Sequence, residues 1–158
     1  MTMAGLKKMI RNRLNRDTVY ASVEFWNEKA VEYTGDKVSM WANSHLNALY
    51  DAEQKYILRQ FATSIEIGGH ILDLGCGTGR ITRFMADLGY QLTGMDFSQA
   101  TIDIAGQLTA GGNPEYKCAS YLDMPTNVKY AGVISIGSIT LSCRNQTELT
   151  AMFKIIRN

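Results

Sequence analysis

Three glycines in alternation, Gly75, Gly77 and Gly79, lie between two carboxylates and form the group of residues in this sequence best suited to bind a ligand. Asp73 comes just before the first glycine, and Asp96 follows that glycine by about 20 residues. Glycine allows positive φ angles and lets a ligand approach the main chain closely. The turn is therefore predicted to bind a nucleotide-like ligand, with free backbone N–H groups and the positive end of a helix facing it.

The residues on either side of the turn predict the elements that would position it. Residues 70–74 form a short apolar run typical of a buried strand, and residues 81–88 repeat apolar side chains at helical spacing. Residues 91–95 predict a second strand that ends at Asp96. Nucleoside sites place a carboxylate at the end of such a strand, where it accepts hydrogen bonds from ribose hydroxyls.

Two kinds of cofactor fit a turn of this type. The nicotinamide fingerprint G-x-G-x-x-G would place its third glycine at position 80, where this sequence has Arg80. Asp73 would repel a pyrophosphate, whereas it would attract a ligand that carries an ammonium group. A nicotinamide oxidoreductase is therefore the less favoured hypothesis.

Two short segments carry a resemblance to a known family. Residues 72–79 (LDLGCGTG) resemble motif I of the class I S-adenosylmethionine-dependent methyltransferases, and residues 94–98 (GMDFS) are similar to the family's next motif. The resemblance implies an α/β fold with a Rossmann-like doubly wound sheet. It also implies S-adenosyl-L-methionine as the cofactor and S-adenosyl-L-homocysteine as the product. No metal site is expected, because the cysteines lack metal-ligand spacing.

The same resemblance implies contacts for individual residues. Asp73 and the backbone of residues 75–77 would hold the ammonium group of the cofactor, Asp96 its ribose diol, and Phe97 the face of its adenine. Where the family usually has an acid at the adenine edge, this chain has Ser120. The full set of expected cofactor-binding residues is Asp73, Gly75, Cys76, Gly77, Gly79, Asp96, Phe97, Ser98, Ser120, Tyr121, Ile136 and Tyr33. No residue is assigned as a catalytic base.

The sequence before the turn predicts helices over residues 6–16, 17–33 and 51–62. The first is basic and amphipathic, so it could lie on an anionic membrane surface or a partner, although local packing is the favoured interpretation. Asp17 or Thr18 would cap the second. Residues 25–33 are similar to the segment that precedes the core in many small-molecule methyltransferases, which implies a helical cap over residues 1–62 and the core over residues 63–158. Trp26, Tyr33 and Trp41 are candidate pocket aromatics, or simply part of the hydrophobic core.

Further elements are predicted after Asp96. They are a helix over 99–109 capped by Ser98, strands over 115–118 and 132–136, and a helix over 147–157 capped by Thr147. Because the family's sheet usually continues, we expect the fold to be truncated after the fourth strand and its helix. Either the chain is a fragment, which we favour, or another chain, such as a second copy in a homodimer, covers that open edge.

Composition narrows the functional classes. The chain has 158 residues, of which 46% are hydrophobic and 20% charged, as expected of a globular domain. A net charge of +1 gives no reason to expect nucleic acid as a partner. Three cysteines without metal-ligand spacing, and the lack of a membrane-spanning run or a signal peptide, favour a cytoplasmic protein. We expect a methyltransferase for a small-molecule acceptor; the alternative is a truncated or non-catalytic S-adenosylmethionine-binding module completed by another chain.

Overall fold

The computed structural model describes residues 3–40, 43–124, 127–139, 143 and 145–157. Within these residues, the α-helices are α1 (Met3–Leu14), α2 (Arg16–Val19), α3 (Val23–Glu32), α4 (Ser44–Ala62), α5 (Arg80–Asp87), α6 (Gln99–Gln107) and α7 (Gln146–Arg157). The strands of the same ranges are β1 (His70–Leu74), β2 (Gln91–Asp96), β3 (Glu115–Cys118) and β4 (Gly132–Ile134). Short 3₁₀ helices cover Gly35–Val38 and Tyr121–Asp123.

The strands of the described residues form one parallel sheet in the order β3-β2-β1-β4. β1 lies in the middle, where Leu72 is in register with Thr93 of β2 and Val133 of β4. Parallel neighbours need crossover connections; α5 supplies the one from β1 to β2, and α6 supplies the one from β2 to β3. All four strands therefore end at the same edge of the sheet, which brings the glycine turn after β1 next to Asp96 at the end of β2. This arrangement confirms the predicted α/β fold.

Hydrophobic residues cover both faces of the sheet, as is usual for parallel strands. Along β1 the side chains alternate, with Ile71 on one face and Leu72 on the other, and both are completely buried. Helices α4 and α5 pack on the Ile71 face, and α7 packs on the Leu72 face. Burying one such side chain contributes about 1.5–3 kcal/mol, so the two layers hold β1, and the turn that follows it, in a fixed position.

The helix predicted over residues 17–33 is interrupted. α2 ends at Val19, and α3 begins at Val23, with Ser22 as its N-cap; the Ser22 hydroxyl accepts a hydrogen bond from Phe25 N at 3.2 Å. The predicted cap at Asp17 or Thr18 is therefore wrong. The indole Nε1 of Trp26 donates to the Tyr20 carbonyl at 2.9 Å, and this contact takes an acceptor that a continuous helix would use for its own backbone bond.

Other element boundaries also differ from the predictions. α4 begins at Ser44, earlier than predicted, because Asn43 Oδ1 accepts from two N–H groups of its first turn. Asn145 caps α7 in place of Thr147, since its Oδ1 accepts from Glu148 N at 3.0 Å. β4 ends at Ile134. Ser98 caps α6 as predicted, accepting from Thr101 N at 3.3 Å, and Trp41 lies outside the described residues.

Candidate active site at the carboxyl edge of the sheet

The turn after β1 has the backbone conformation that its glycines predict. Gly75, Gly77 and Gly79 have φ angles of 76°, 55° and 77°, all in the left-handed region. Gly79 is also the N-cap of α5. A side chain on Gly79 would overlap the Tyr116 ring, which packs across the turn from β3. At this position glycine is therefore required for packing between the turn and β3.

Gly75 and Gly77 are required because serine side chains approach them too closely to leave room for a Cβ. A Cβ on Gly75 would overlap Ser138, which follows β4, and a Cβ on Gly77 would overlap the Ser39 hydroxyl, which follows the 3₁₀ helix Gly35–Val38. Polar side chains from segments that precede and follow the turn in the chain, Ser39 and Ser138, therefore pack against it.

The backbone N–H groups of the turn are not free, so the prediction of free donors is wrong for this conformation. The donor–acceptor pairs are Gly75 N to Met95 O (2.7 Å), Cys76 N to Met95 O (3.0 Å), Gly77 N to Asp96 Oδ2 (3.0 Å), Thr78 N to Ser39 Oγ (3.3 Å) and Gly79 N to Cys76 O (3.0 Å). Two acceptors, Asp96 and Ser39, are side chains, which can exchange partners without a change in the backbone. A ligand could therefore compete at Gly77 and Thr78.

Asp96 connects the turn to the start of α6. Its Oδ2 accepts from Gly77 N, and its Oδ1 accepts from Ser98 N at 2.9 Å and from Thr101 Oγ1 at 3.2 Å. Burial raises the pKa of Asp96, and the hydrogen bonds from Ser98 and Gly77 oppose that rise. A buried carboxylate is stabilised by such donors, so Asp96 is held in a single orientation at the end of β2.

Asp73 is the more deeply buried of the two acids. Thr82 Oγ1 of α5 donates to its Oδ2 at 2.7 Å. Burial is the main cause that raises the pKa of Asp73 to about 6; the Asp96 carboxylate acts in the same direction, whereas Thr82 and Arg80 oppose it. A positively charged group placed beside Asp73 would therefore be strongly favoured.

Cys76 lies in the turn but is unsuited to nucleophilic chemistry. Burial, followed by the charges of Asp73 and Asp96, raises the pKa of its thiol well above the usual value, and the thiolate is the reactive form. Among the residues that the structure describes, no group of three or more His, Cys, Asp or Glu side chains could hold a metal ion.

The hydroxyls of Ser135 and Ser138, to which sequence reasoning gave no role, lie beside the turn. Both hydroxyls are 2.8 Å from the Leu74 carbonyl and 2.6 Å from each other. Ile136, the predicted contact between them, is half-buried and packs against the Ile71 core. Small polar residues directly after a strand were the signal for these serines.

A second group that sequence reasoning missed fastens the 3₁₀ helix Gly35–Val38 to the turn. Thr78 Oγ1 donates to Asp36 Oδ1 at 2.9 Å, and Arg83 Nη2 donates to both Asp36 oxygens at 2.8 and 3.0 Å. Arg83 Nη1 also donates to the Thr78 carbonyl at 2.6 Å. These bonds form a closed triangle, called here the Asp36–Thr78–Arg83 cluster.

Two further contacts join the N-terminal helices to the same edge. Arg80, which replaces the third glycine of the dinucleotide fingerprint, donates to Asp51 and to Gln54 Oε1 (2.6 Å) of α4. Ser98 Oγ donates to Asn27 Oδ1 of α3 at 2.9 Å. The helices before β1 are therefore fastened to the turn and to the starts of α5 and α6.

The Asp36–Arg83 pair is expected to stabilise the fold by a measurable coupling. In a double-mutant cycle with Asp36→Asn and Arg83→Gln, urea unfolding should give a coupling free energy of about 1 kcal/mol, because Arg83 Nη2 donates to both Asp36 oxygens and the pair is partly buried. The exposed Lys8–Glu28 pair is the control and should give nearly zero. If the changes in unfolding free energy of the two single variants simply add, the predicted coupling between Asp36 and Arg83 is wrong.

The remaining predicted residues lie farther along the chain. Phe97 is half-buried next to Asp96. Ser120 follows β3 and forms a capping box with Asp123, in which its hydroxyl accepts from Leu122 N. Tyr121 packs against the Leu72 core.

The candidate aromatics of α3 differ in their surroundings. Tyr33 is half-buried at the end of the helix, with Lys29 Nζ 5.3 Å from its ring centroid. Trp26 packs against Phe25, with ring centroids 5.1 Å apart. The contact supports a packing role for Trp26.

The sequence of the chain matches a known protein family. A family model described as "Methyltransferase domain" matches residues 71–158, more than half of the chain. The O-methyltransferase resE of Aspergillus sclerotiorum is 31% identical over 100 residues, which cover 60% of this chain and 38% of that protein. The chain thus spans well under half the length of this relative.

Solved structures show the same fold. The magnesium protoporphyrin IX methyltransferase of Synechocystis PCC 6803, solved with bound S-adenosylmethionine, matches with a TM-score of 0.55 and 22% identity over 68% of this chain and 51% of that one. The glycopeptide N-methyltransferase MtfA, complexed with S-adenosylmethionine, matches with a TM-score of 0.56 and 20% identity over 65% and 44%.

Proposed function

This chain belongs to the methyltransferase-domain family, and on that premise we propose that it binds S-adenosylmethionine at the glycine turn and methylates a small molecule. One observation carries the proposal: two buried carboxylates, Asp73 and Asp96, lie on either side of a positive-φ glycine turn where parallel strands end. A ligand with an ammonium group and a ribose diol would place a positive charge beside Asp73 and hydroxyl donors beside Asp96.

The residues present fit the amino-acid part of the cofactor. Asp73 is a buried acid whose ionised form is disfavoured by burial. An ammonium group beside Asp73 would stabilise the ionised carboxylate. Because the site has a low dielectric, the attraction between the two charges would also strengthen binding of the ligand. Asp73 is thus the residue that would hold the ammonium group, with the backbone of Gly75 next to it.

The ribose would bind at Asp96. Asp96 Oδ2 at present accepts from the Gly77 amide, and a ribose hydroxyl would replace or share that donor. The Ser98 amide and the Thr101 hydroxyl would keep Oδ1 in place. Phe97, Ser98, Ser120 and Tyr121 remain the residues proposed to surround the adenine.

Bound S-adenosylmethionine supplies an electrophilic methyl group on a sulfonium. The protein's own contribution is to position the two reactants in line and to exclude water. The contacts that fasten the N-terminal helices around the turn, through Asp36, Asp51 and Asn27, support the second role. The fungal relative is named an O-methyltransferase, which supports a hydroxyl group as the acceptor.

The test is calorimetric titration of the chain with S-adenosylmethionine, S-adenosylhomocysteine and NAD, followed by transfer of a labelled methyl group to a panel of small hydroxylated acceptors. We expect both sulfur nucleosides to bind, NAD to bind weakly or not at all, and label to reach an acceptor. Tighter binding of NAD would contradict the proposal. Binding without transfer would favour the module completed by another chain at the β4 edge.

Asp73→Asn is expected to raise stability and to weaken cofactor binding. The folded-state pKa of Asp73, about 6, lies above its unfolded value, so the stability that Asp73 contributes falls as pH rises from about 4 to about 6 and then levels off. Asparagine removes this dependence, which should stabilise the free protein at neutral pH by up to about 3 kcal/mol. Urea unfolding across that range, with exposed Asp87→Asn as the control, checks the sign.

Calorimetry on Asp73→Asn checks the predicted loss of cofactor affinity. Loss of the charge should weaken S-adenosylmethionine binding by roughly tenfold or more. A variant that binds the cofactor as tightly as the wild type would remove Asp73 from the proposed site, and one with the wild-type pH dependence of stability would contradict its raised pKa.

A further inference from the structure

Helix α1 leaves an apolar ridge in contact with water. Met3, Ile10 and Leu14 lie on one side of the helix by their spacing, and their exposed fractions are 74%, 48% and 79%. An amphipathic helix of a globular protein normally turns such a side toward the core. Contiguous exposed apolar side chains mark surfaces that bind another phase or molecule.

Basic side chains border this ridge on both sides. At helical spacing, Lys7 and Arg11 lie along one flank and Arg13 along the other, and all three are exposed. Lys8 lies on the far side, 3.2 Å from Glu28 of α3, so that side of the helix faces the rest of the protein. This orientation leaves the ridge and its basic borders facing outward.

The charges of the chain are strongly separated. The first 16 residues hold five basic and no acidic residues, whereas the rest of the chain holds eleven basic and fifteen acidic ones. The near-neutral total thus conceals a cationic N-terminal helix. The apolar ridge complements a hydrocarbon layer, and the positive charges on its two borders complement anionic groups that lie just above such a layer.

We propose that α1 binds the surface of an anionic lipid bilayer. Met3, Ile10 and Leu14 enter the boundary between headgroups and acyl chains, while Lys7, Arg11 and Arg13 contact lipid phosphates. The 12-residue helix is about 18 Å long, too short to cross a bilayer. Among the residues that the structure describes, no helix is long and apolar enough to do so; α1 therefore lies in the plane of the surface.

The test is co-sedimentation of the full chain with phosphatidylcholine vesicles, prepared with and without phosphatidylserine. We expect binding at least about tenfold tighter to the anionic vesicles, decreasing as salt is added. Arg11→Glu and Leu14→Ser should each weaken it roughly tenfold. The matched controls, Lys154→Glu and Val31→Ser, change exposed residues of α7 and α3 and should bind as the wild type does.

Four outcomes would overturn the proposal. They are no vesicle binding, equal binding to neutral and anionic vesicles, equal effects of the α1 and control variants, and self-association in solution that Leu14→Ser abolishes. Circular dichroism checks that each variant is folded, and if Leu14→Ser is not, Arg11→Glu and the salt dependence still decide. S-adenosylmethionine affinity should stay unchanged in the α1 variants, so failure here is distinguishable from failure of the proposed function.

Discussion

Asp96→Ala should weaken S-adenosylmethionine binding by about 2–4 kcal/mol, which is roughly thirtyfold to a thousandfold in affinity. Two effects add. The variant loses the charged acceptor proposed for the ribose hydroxyls, and it leaves the Gly77 and Ser98 N–H groups without the carboxylate that orients them. Calorimetry measures the loss directly.

The stability of Asp96→Ala should change less than its affinity. The lost hydrogen bonds destabilise the fold, but removing a buried carboxylate whose pKa is raised by burial offsets part of that cost. Asp96→Asn is not a silent substitute, because one amide N–H would face the Gly77 or the Ser98 N–H. Thr101→Val is the matched control: it removes one donor to Asp96 and should leave most of the affinity. An unchanged affinity in Asp96→Ala would remove this carboxylate from the site.

Gly77→Ala should destabilise the protein by about 2–4 kcal/mol and weaken cofactor binding. Part of the cost is conformational, since Gly77 has a φ of 55°. The rest is steric, because the new methyl group would overlap Ser39 and push the 3₁₀ helix Gly35–Val38 away from the turn.

Gly111→Ala separates these two costs. Gly111 also has a positive φ, 90°, but a Cβ there would meet no atom within 4 Å, so its loss should be only about 1–2 kcal/mol. Ser39→Gly should restore part of the stability of Gly77→Ala. Equal unfolding free energies for Gly77→Ala and Gly111→Ala would show that the close approach of Ser39 is not important.

The parts of the site that the sequence predicted are those encoded by neighbouring residues. Asp73 precedes its turn, Asp96 ends its strand, and Ser98 caps the following helix, so each could be placed from local pattern alone. The doubly wound α/β sheet followed from the family resemblance. The local pattern could not predict which side chains from distant parts of the chain contact the turn.

The contacts that sequence analysis missed join residues distant in the chain. Asp36 and Arg83, like Asp51 and Arg80, are brought together by tertiary packing of the segments before β1 beside α5. The break between α2 and α3 depends on the Trp26 indole and one carbonyl, which periodicity does not describe. The free N–H groups were predicted without regard to a general requirement: buried backbone donors find acceptors within the protein when no ligand is present.

The central claim is that the glycine turn, with Asp73 and Asp96, binds the cofactor. The most direct test is the ¹⁵N–¹H spectrum of the full chain, recorded as S-adenosylhomocysteine is added. We predict the largest shifts at the amides of Gly77 and Thr78, because the ligand competes for the Asp96 and Ser39 acceptors. The opposite edge of the sheet has a depression lined by His70, Gln91, Leu92, Gly112, Asn113 and Glu115. Largest shifts at that depression, with the turn amides unmoved, would contradict the claim.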